Sequence, residues 1–228
     1  MAGRTLVIGD IHGCLVALKT LLAELDIQKE DTLILLGDYV DRGPDSAGVI
    51  ERLIQLKEEC SLYPILGNHD ELMLDVIDEK TWNLGKWLMY GGQQTLQSYG
   101  VDSAAKIPKS HRDFLRTCVT YCESESHFFV HANYQETKPL DKMPPEVLRW
   151  ESLNDRTPGP HVSGKTAVMG HTAQKNGEIL YQGYLLCLDT YCYGSGSLTA
   201  FNIDNGEFWK TDKNGEDVTN GLFRIYLE

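Results

Sequence analysis

Three short apolar runs, each closed by glycine and then an acid or amide, constrain this chain more than any other feature. Arg4 to Ile8 ends at Gly9-Asp10, Thr32 to Leu36 at Gly37-Asp38, and Leu62 to Leu66 at Gly67-Asn68. Between the first two runs, Leu15, Leu18, Leu21, Leu22 and Leu25 recur at helical spacing, and between the second and third, Val49, Ile50, Leu53, Ile54 and Leu56 do the same. The alternation predicts βαβαβ, which requires parallel strands joined by right-handed crossovers. It also puts polar residues just past the carboxyl ends of the strands, where α/β sheets bind ligands.

The rest of the chain reads differently. From about Glu71 to Cys118 the pattern is mostly helical, with a break at Gly91-Gly92, and Trp82, Leu84, Trp87 and Leu88 read as the core of that stretch. Phe128 to Val130, Ala167 to Met169, Tyr184 to Leu188 and Leu198 to Ile203 read as strands. Asn176-Gly177, Asn205-Gly206 and Asn214-Gly215 are hairpin-turn pairs. Lys138 to Gly164, rich in proline and polar residues, is expected to run as a long excursion over the site. With 228 residues and no linker composition, the expectation is a single domain over residues 1–228, helices outside and two sheets inside, with the site at one rim. A chain this long needs no structural metal or disulfide to fold, so any metal it binds serves chemistry.

Twenty-one basic against 33 acidic residues leave a net charge of −12. That argues against nucleic-acid partners, which are held through phosphate neutralisation by Lys and Arg, and against docking on an anionic membrane. A phosphorylated substrate then needs a local positive site, which bound divalent cations supply. The six cysteines lack the Cys-x-x-Cys spacing of a zinc ribbon and read as reduced thiols. No apolar stretch approaches the ~20 residues a bilayer span needs, so the expected location is cytoplasmic.

The strand ends read Gly-Asp10-Ile-His12-Gly, Gly-Asp38-Tyr-Val-Asp41-Arg42-Gly and Gly-Asn68-His69-Asp70, and two later strands close on Val130-His131 and Gly170-His171. Five strand ends thus deliver imidazole, carboxylate and amide groups to one rim. Hydrolysis of a phosphate ester needs a nucleophile at neutral pH and compensation for phosphoryl charge, and two divalent metals ~3.5–4 Å apart can do both. Cations that close require a shared carboxylate, and this donor mixture suits Mn, Fe or Zn rather than Ca. A water between two such ions loses a proton more readily than bulk water. A histidine oriented by a carboxylate can protonate the leaving oxygen, and an arginine fork can hold two phosphate oxygens.

These motifs resemble the PPP family of metal-dependent Ser/Thr protein phosphatases, especially its small bacterial and phage members, calcineurin-like metallophosphoesterases. The resemblance runs from Asp10 to about Thr199 and takes in Leu188-Asp189-Thr190. It implies a four-layer α/β/β/α sandwich. It also implies that Asp10 and His12 bind the first metal, that Asp38 bridges both, and that Asn68, His131 and His171 complete the second. His69 is implied as the general acid, paired with Asp41. Arg42 is implied as the phosphate clamp, with Asn68 beside it. The family's second phosphate-binding arginine lies between the fourth and fifth ligands, and in small bacterial members just after a Leu-Trp pair. Here the order is shifted to Leu148-Arg149-Trp150-Glu151, which makes Arg149 the candidate and Arg156 the second choice. The implied cofactors are two divalent ions, Mn first and Fe or Zn as alternatives. The implied substrate is a phosphoprotein, phosphopeptide or small phosphoester.

The nearest rival activity is that of a symmetrical dinucleoside tetraphosphatase, a cousin that typically carries Val-Ala-Arg-Gly where this chain has Val40-Asp41-Arg42-Gly43. Asp41 favours an acid pair of the phosphatase type. An inactive scaffold is disfavoured because His69 is present. Gly159 to Thr166 matches the P-loop pattern letter for letter, but a polar, proline-bearing segment precedes it and a strand follows, which is the wrong context for an ATP site. His111, His127 and His161 have no matching spacing and read as hydrogen-bonded side chains.

Overall fold

The computed structural model describes residues 3–223. The predicted βαβαβ is present: β1 (Thr5–Ile8), α1 (Leu15–Leu25), β2 (Thr32–Leu35), α2 (Ser46–Leu56) and β3 (Ser61–Pro64). The three strands are parallel, in the register Thr5↔Thr32 and Thr32↔Ser61. α3 (Asn68–Ile77) begins directly after β3. Two helices, α5 (Gln93–Tyr99) and α6 (Lys109–Arg116), follow a short α4 (Leu84–Trp87) and a π-helical turn over Leu88–Gly92.

The second half supplies β4 (Tyr121–Glu123), β5 (His127–Val130), α7 (Pro145–Trp150), β6 (Thr166–Met169), β7 (Leu180–Tyr181), β8 (Leu185–Cys187), β9 (Ser197–Asn202), β10 (Glu207–Asp212) and β11 (Val218–Leu222). One sheet has the order β11-β10-β9-β1-β2-β3 and the other β4-β5-β6-β8-β7. β9 returns antiparallel to β1, so the chain's last strands finish the sheet its first strands began.

The strand period of two explains the layering. Leu6, Ile8, Leu33 and Leu35 face the helices, where they meet Leu18, Leu21, Ile50 and Leu53. Val7, Ile34, Phe129, Val168, Leu186 and Phe201 alternate to the opposite face and fill the space between the sheets. On the second sheet Phe128, Val130, Ala167 and Leu185 turn outward and are covered by Tyr134, Leu140, Met143 and Leu148. This gives the α/β/β/α sandwich, with a thin fourth layer: one six-residue helix, α7, and loops. Truncating a fully buried inter-sheet ring such as Phe129 to alanine costs about 3–5 kcal/mol.

Several expectations need correction. Trp82, Leu84 and Leu88 are exposed, and only Trp87 of that group is buried. The segment breaks into a 3₁₀ turn, one α-turn and a π-turn, which leaves no continuous helical face to bury. Asn176-Gly177 closes a turn before β7, and the hairpin itself turns one step later, at Gln182-Gly183 between β7 and β8. The P-loop lookalike opens no helix; Thr166 starts β6. The six cysteines are free. His111, His127 and His161 are each hydrogen-bonded, to Tyr99 and Glu51, to Ser126, and to Lys138 and Ser163 respectively. Among the described residues no helix is long and apolar enough to cross a membrane.

Candidate metal centre

The ends of β1, β2 and β3 meet the ends of β5 and β6 at one rim, where the two sheets converge. Five side chains there sit on left-handed backbone: His12, Asp38, Asp41, Arg42 and His171, with φ of 45°, 51°, 71°, 68° and 62°. Non-glycine residues hold such angles only where the surroundings over-determine them, and such strain clusters at functional sites. Asp70 ties two of the loops together: one carboxylate oxygen accepts the Tyr39 N–H at 2.9 Å and the other the Gly67 N–H at 3.0 Å. A side chain at Gly67 is impossible, because its Cβ would lie 2.1 Å from Asp38 Oδ1.

Two donor groups share Asp38. His12, Asp38 and His69 offer ligand atoms within 4.8 Å of one another, and so do Asp38, His131 and His171. Asn68 joins the second group, its Oδ1 lying 3.0 Å from His131 Nε2 and 2.9 Å from His171 Nδ1. Asp10 sits beside them rather than within either triad, its carboxylate accepting the His171 backbone N–H at 3.0 and 3.2 Å.

The imidazole contacts reveal what the cluster is shaped for. His12 Nδ1–H donates to the Val40 carbonyl at 3.0 Å, His131 Nδ1–H to Leu36 at 2.7 Å, and His171 Nε2–H to Trp150 at 3.1 Å. Each ring therefore turns its lone-pair nitrogen inward. His131 Nε2 then faces Asp38 Oδ1 at 3.4 Å, and His12 Nε2 faces Asp38 Oδ2 at 3.5 Å. Acceptor faces acceptor, an arrangement that a cation between them relieves, with the outer N–H bonds fixing tautomer and ring orientation.

Protonation does not relieve it, because burial holds all three imidazoles below their ordinary range. His12 lies well below it, and His171 is lowered to about 4, with neighbouring His131 adding to the effect of burial. Burial likewise pushes the Asp10 carboxyl well up, reinforced by Asp189 and Asp38. For Asp38 burial also opposes ionisation, but the surrounding His131, His69, His12 and His171 outweigh it and hold the group below the usual carboxylate range. Asp189, raised to about 6 mainly by burial, accepts the Tyr191 N–H through Oδ1 and leaves Oδ2 buried without a partner. A packed set of buried acids, inward lone pairs and an orphaned carboxylate oxygen fits divalent cations.

His69, the third member of the first donor group, has its Nδ1–H donating to Asp41 Oδ2 at 2.8 Å. Asp41 is itself fixed from behind. Its Oδ1 accepts the Trp87 indole N–H at 3.0 Å and the Thr95 hydroxyl at 2.7 Å, while its backbone N–H reaches Thr95 and Ser46 oxygens at 2.9 and 3.1 Å. Burial raises the Asp41 carboxyl, and the bond from His69 works against that rise. Trp87, read from the sequence as a core residue, is thus both core and a donor to the pair. Its link to Asp41 spans 46 residues and leaves no local pattern to read. Gly91, at φ 113°, lets the π-turn approach the strained Arg42 backbone, where a Cβ would meet Arg42 N at 2.4 Å.

Arg42 lies over the Tyr193 ring at 4.4 Å and places Nη1 3.1 Å from His12 Nε2. Arg149 and Arg156 are differently placed from what the resemblance implies. Arg149 is buried with Nη1 bound to Glu71 and Nη2 3.4 Å from Thr120 Oγ1. Arg156 is clasped by Glu151 at 2.8–2.9 Å and also bonds the Tyr134 carbonyl. Neither guanidinium presents a free fork, because a carboxylate already occupies it. Glu71 also accepts the Trp150 indole N–H at 2.6 Å, which steadies the segment whose carbonyl orients His171.

Comparison with known proteins places this geometry. The family model for calcineurin-like phosphoesterases matches residues 3–196. The chain is similar to a symmetrical bis(5′-nucleosyl)-tetraphosphatase of Pectobacterium atrosepticum, with 49% identity over 73 residues, covering 32% of this chain and 25% of that protein. It is also similar to serine/threonine-protein phosphatase 1 of Salmonella typhimurium, with 39% identity over 154 residues, covering 65% of this chain and 63% of that one. Among solved structures, a putative diadenosine tetraphosphatase superposes with a TM-score of 0.67 and 25% identity, covering 97% of this chain and 94% of that one.

Proposed function

Because this chain belongs to the calcineurin-like phosphoesterase family, whose members use divalent metals, we propose that it is a two-metal phosphoester hydrolase acting on phosphoserine- and phosphothreonine-bearing proteins and on small phosphoesters. The observation that carries the reading is the acceptor-to-acceptor packing of His12, Asp38, Asn68, His131 and His171 beside a braced His69–Asp41 pair. In this reading His12 and Asp10 would hold a first ion, Asn68, His131 and His171 would hold a second, and Asp38 would serve both. Such ions would supply charge neutralisation at the phosphoryl oxygens and lower the pKa of a bound water.

The chain's own residues do the rest. Asp41 fixes the His69 ring through Nδ1 and leaves Nε2 to pass a proton to the departing alkoxide. Trp87 and Thr95 keep the Asp41 carboxylate aimed. Arg42, stacked on Tyr193, offers a fork to two phosphate oxygens. With Arg149 and Arg156 engaged by carboxylates, the clamp on the reacting phosphate rests on Arg42, and Arg149 acts as a strut between Glu71 and the His171 segment.

A second reading, hydrolysis of dinucleoside tetraphosphates, is favoured by the 49% identity to a protein of that name over 73 residues. One experiment separates the two. The purified protein is loaded with Mn and its turnover of p-nitrophenyl phosphate, a phosphoserine peptide and diadenosine tetraphosphate is compared. Preference for the peptide is expected. Strong preference for the dinucleotide replaces the first reading with the second, and no metal-dependent turnover of any of them sinks both.

A further inference from the structure

A cavity of about 510 Å³ opens beside the candidate centre, between Arg42 and Tyr193 on one side and the β10–β11 turn on the other. Gln94 and Gln97 of α5 and Asn214 of the turn add amide groups to its wall, Lys213 adds an ammonium, and none of its lining residues is acidic. In a chain with 33 acids and a net charge of −12, a pocket with two cations and no carboxylate is set up for an anion. Among the described residues neither Arg42 nor Lys213 has a carboxylate within ion-pair distance, whereas Arg149 and Arg156 both do.

Lys213 is held by a built turn. Asp212 Oδ1 accepts the N–H groups of Glu216 and Asp217 at 2.7 and 3.2 Å, and Gly215, at φ 75°, packs so close to α1 that a Cβ would lie 2.4 Å from Thr20 Oγ1. The turn lies outside residues 3–196, the part that the family model matches.

We infer that this cavity is a second subsite, which holds a further phosphoryl group of an oligophosphate substrate next to the one being cleaved, with Lys213 as its contact and Arg42 shared between the two. Neighbouring phosphoryl groups are joined through a single oxygen, so one arginine fork can touch both, whereas an acidic side chain in a peptide stands several bonds away from a phosphoserine. A cavity of about 510 Å³ also exceeds what one phosphate fills, and the amides of Gln94, Gln97 and Asn214 can hydrogen-bond the group that the chain carries. The inference rests on the hydrolase reading of the adjoining centre and names a substrate feature that the centre alone does not select.

Lys213→Ala and Lys213→Arg, both at an exposed turn, test it in two assays. In kinetics, Lys213→Ala is expected to lower the ratio of kcat/KM on diadenosine tetraphosphate to that on p-nitrophenyl phosphate by about 5–20-fold at low ionic strength, mainly through KM, and less at ~0.15 M salt. Lys213→Arg should hold the ratio within about two-fold, as a retained charge requires. In calorimetry, the wild-type protein should bind inorganic tripolyphosphate more tightly than orthophosphate, and Lys213→Ala should lose that advantage. A ratio and a tripolyphosphate preference that both ignore the substitution overturn the subsite. So does a change confined to phosphoserine peptides with an adjacent aspartate, which assigns the pocket to peptide carboxylates. If wild-type protein turns over none of the esters, the hydrolase reading fails by itself, and the tripolyphosphate titration still decides the subsite.

Discussion

The two ends of the candidate centre are built by different means. His12, Asp38 and His69 follow successive parallel strands of one sheet, each a few residues past the strand's end. The other end joins Asn68 to His131 and His171, across 63 and 103 residues, and so depends on the second sheet docking against the first. The first end is a product of local motif and the second of tertiary assembly. Asp38 belongs to both, which makes it the point where the comparison can be broken most sharply.

Replacing Asp38 with Asn is expected to remove both ions together and to lower turnover of p-nitrophenyl phosphate by on the order of 10⁴-fold or more. Metal analysis of the purified variant checks this, and two ions per chain would show that the ends are independent. His69→Asn, by contrast, should spare metal content while depressing turnover of poor leaving groups by about 10²–10⁴-fold. Equal loss on p-nitrophenyl phosphate and on a phosphoserine peptide would argue against an acid role. Trp87→Phe keeps most of the buried ring and deletes the donor to Asp41. Its loss should be smaller, about ten-fold in kcat, and should grow with leaving-group pKa. A flat dependence would reduce Trp87 to packing alone.

The mildest test concerns Asp189, whose folded value of about 6 stands above the ordinary 3.8 because of burial. Between those values the folded chain holds a proton that the unfolded chain has lost. Asp189 thus favours folding of the metal-free protein below about pH 4, and that contribution disappears as pH rises through about 6. Asp189→Asn should therefore be more stable than wild type without metal at pH 7, by about 1–3 kcal/mol, with no gain at pH 4. Denaturant titrations at the two pH values measure the gap, and an equal gap at both would remove protonation as its cause. Adding Mn should reverse the order, since an ionised Asp189 then faces cations.

The same contrast explains what could be read from the sequence. That Asp10, His12, Asp38, Asn68 and His69 meet at one rim was legible because a glycine and a strand end stand near each of them. His131 and His171 were legible as strand ends too, although nothing local says which motif they face. The surroundings of Arg149 were not legible, because a shifted Leu-Arg-Trp order does not reveal that Glu71, 78 residues earlier, lies against the guanidinium. Trp82 and Leu88 were misread because the apolar pattern does not announce that the segment breaks into a 3₁₀ turn over Thr81–Asn83 and a π-turn over Leu88–Gly92. The Lys213 wall was invisible for a related reason: a hairpin turn predicted from Asn214-Gly215 says where the chain reverses, not that it returns to α1 and the rim.

The bond from the His171 N–H to Asp10 joins residues 161 positions apart and lies at the seam of the two sheets. A ribosome releases Asp10, His12, Asp38 and Asn68 long before His131 and His171 exist to complete the set. A half-made rim would offer an ion too few donors, so a metal held by this set would enter only after the sandwich closes and would then tie the last-made half of the molecule to the first.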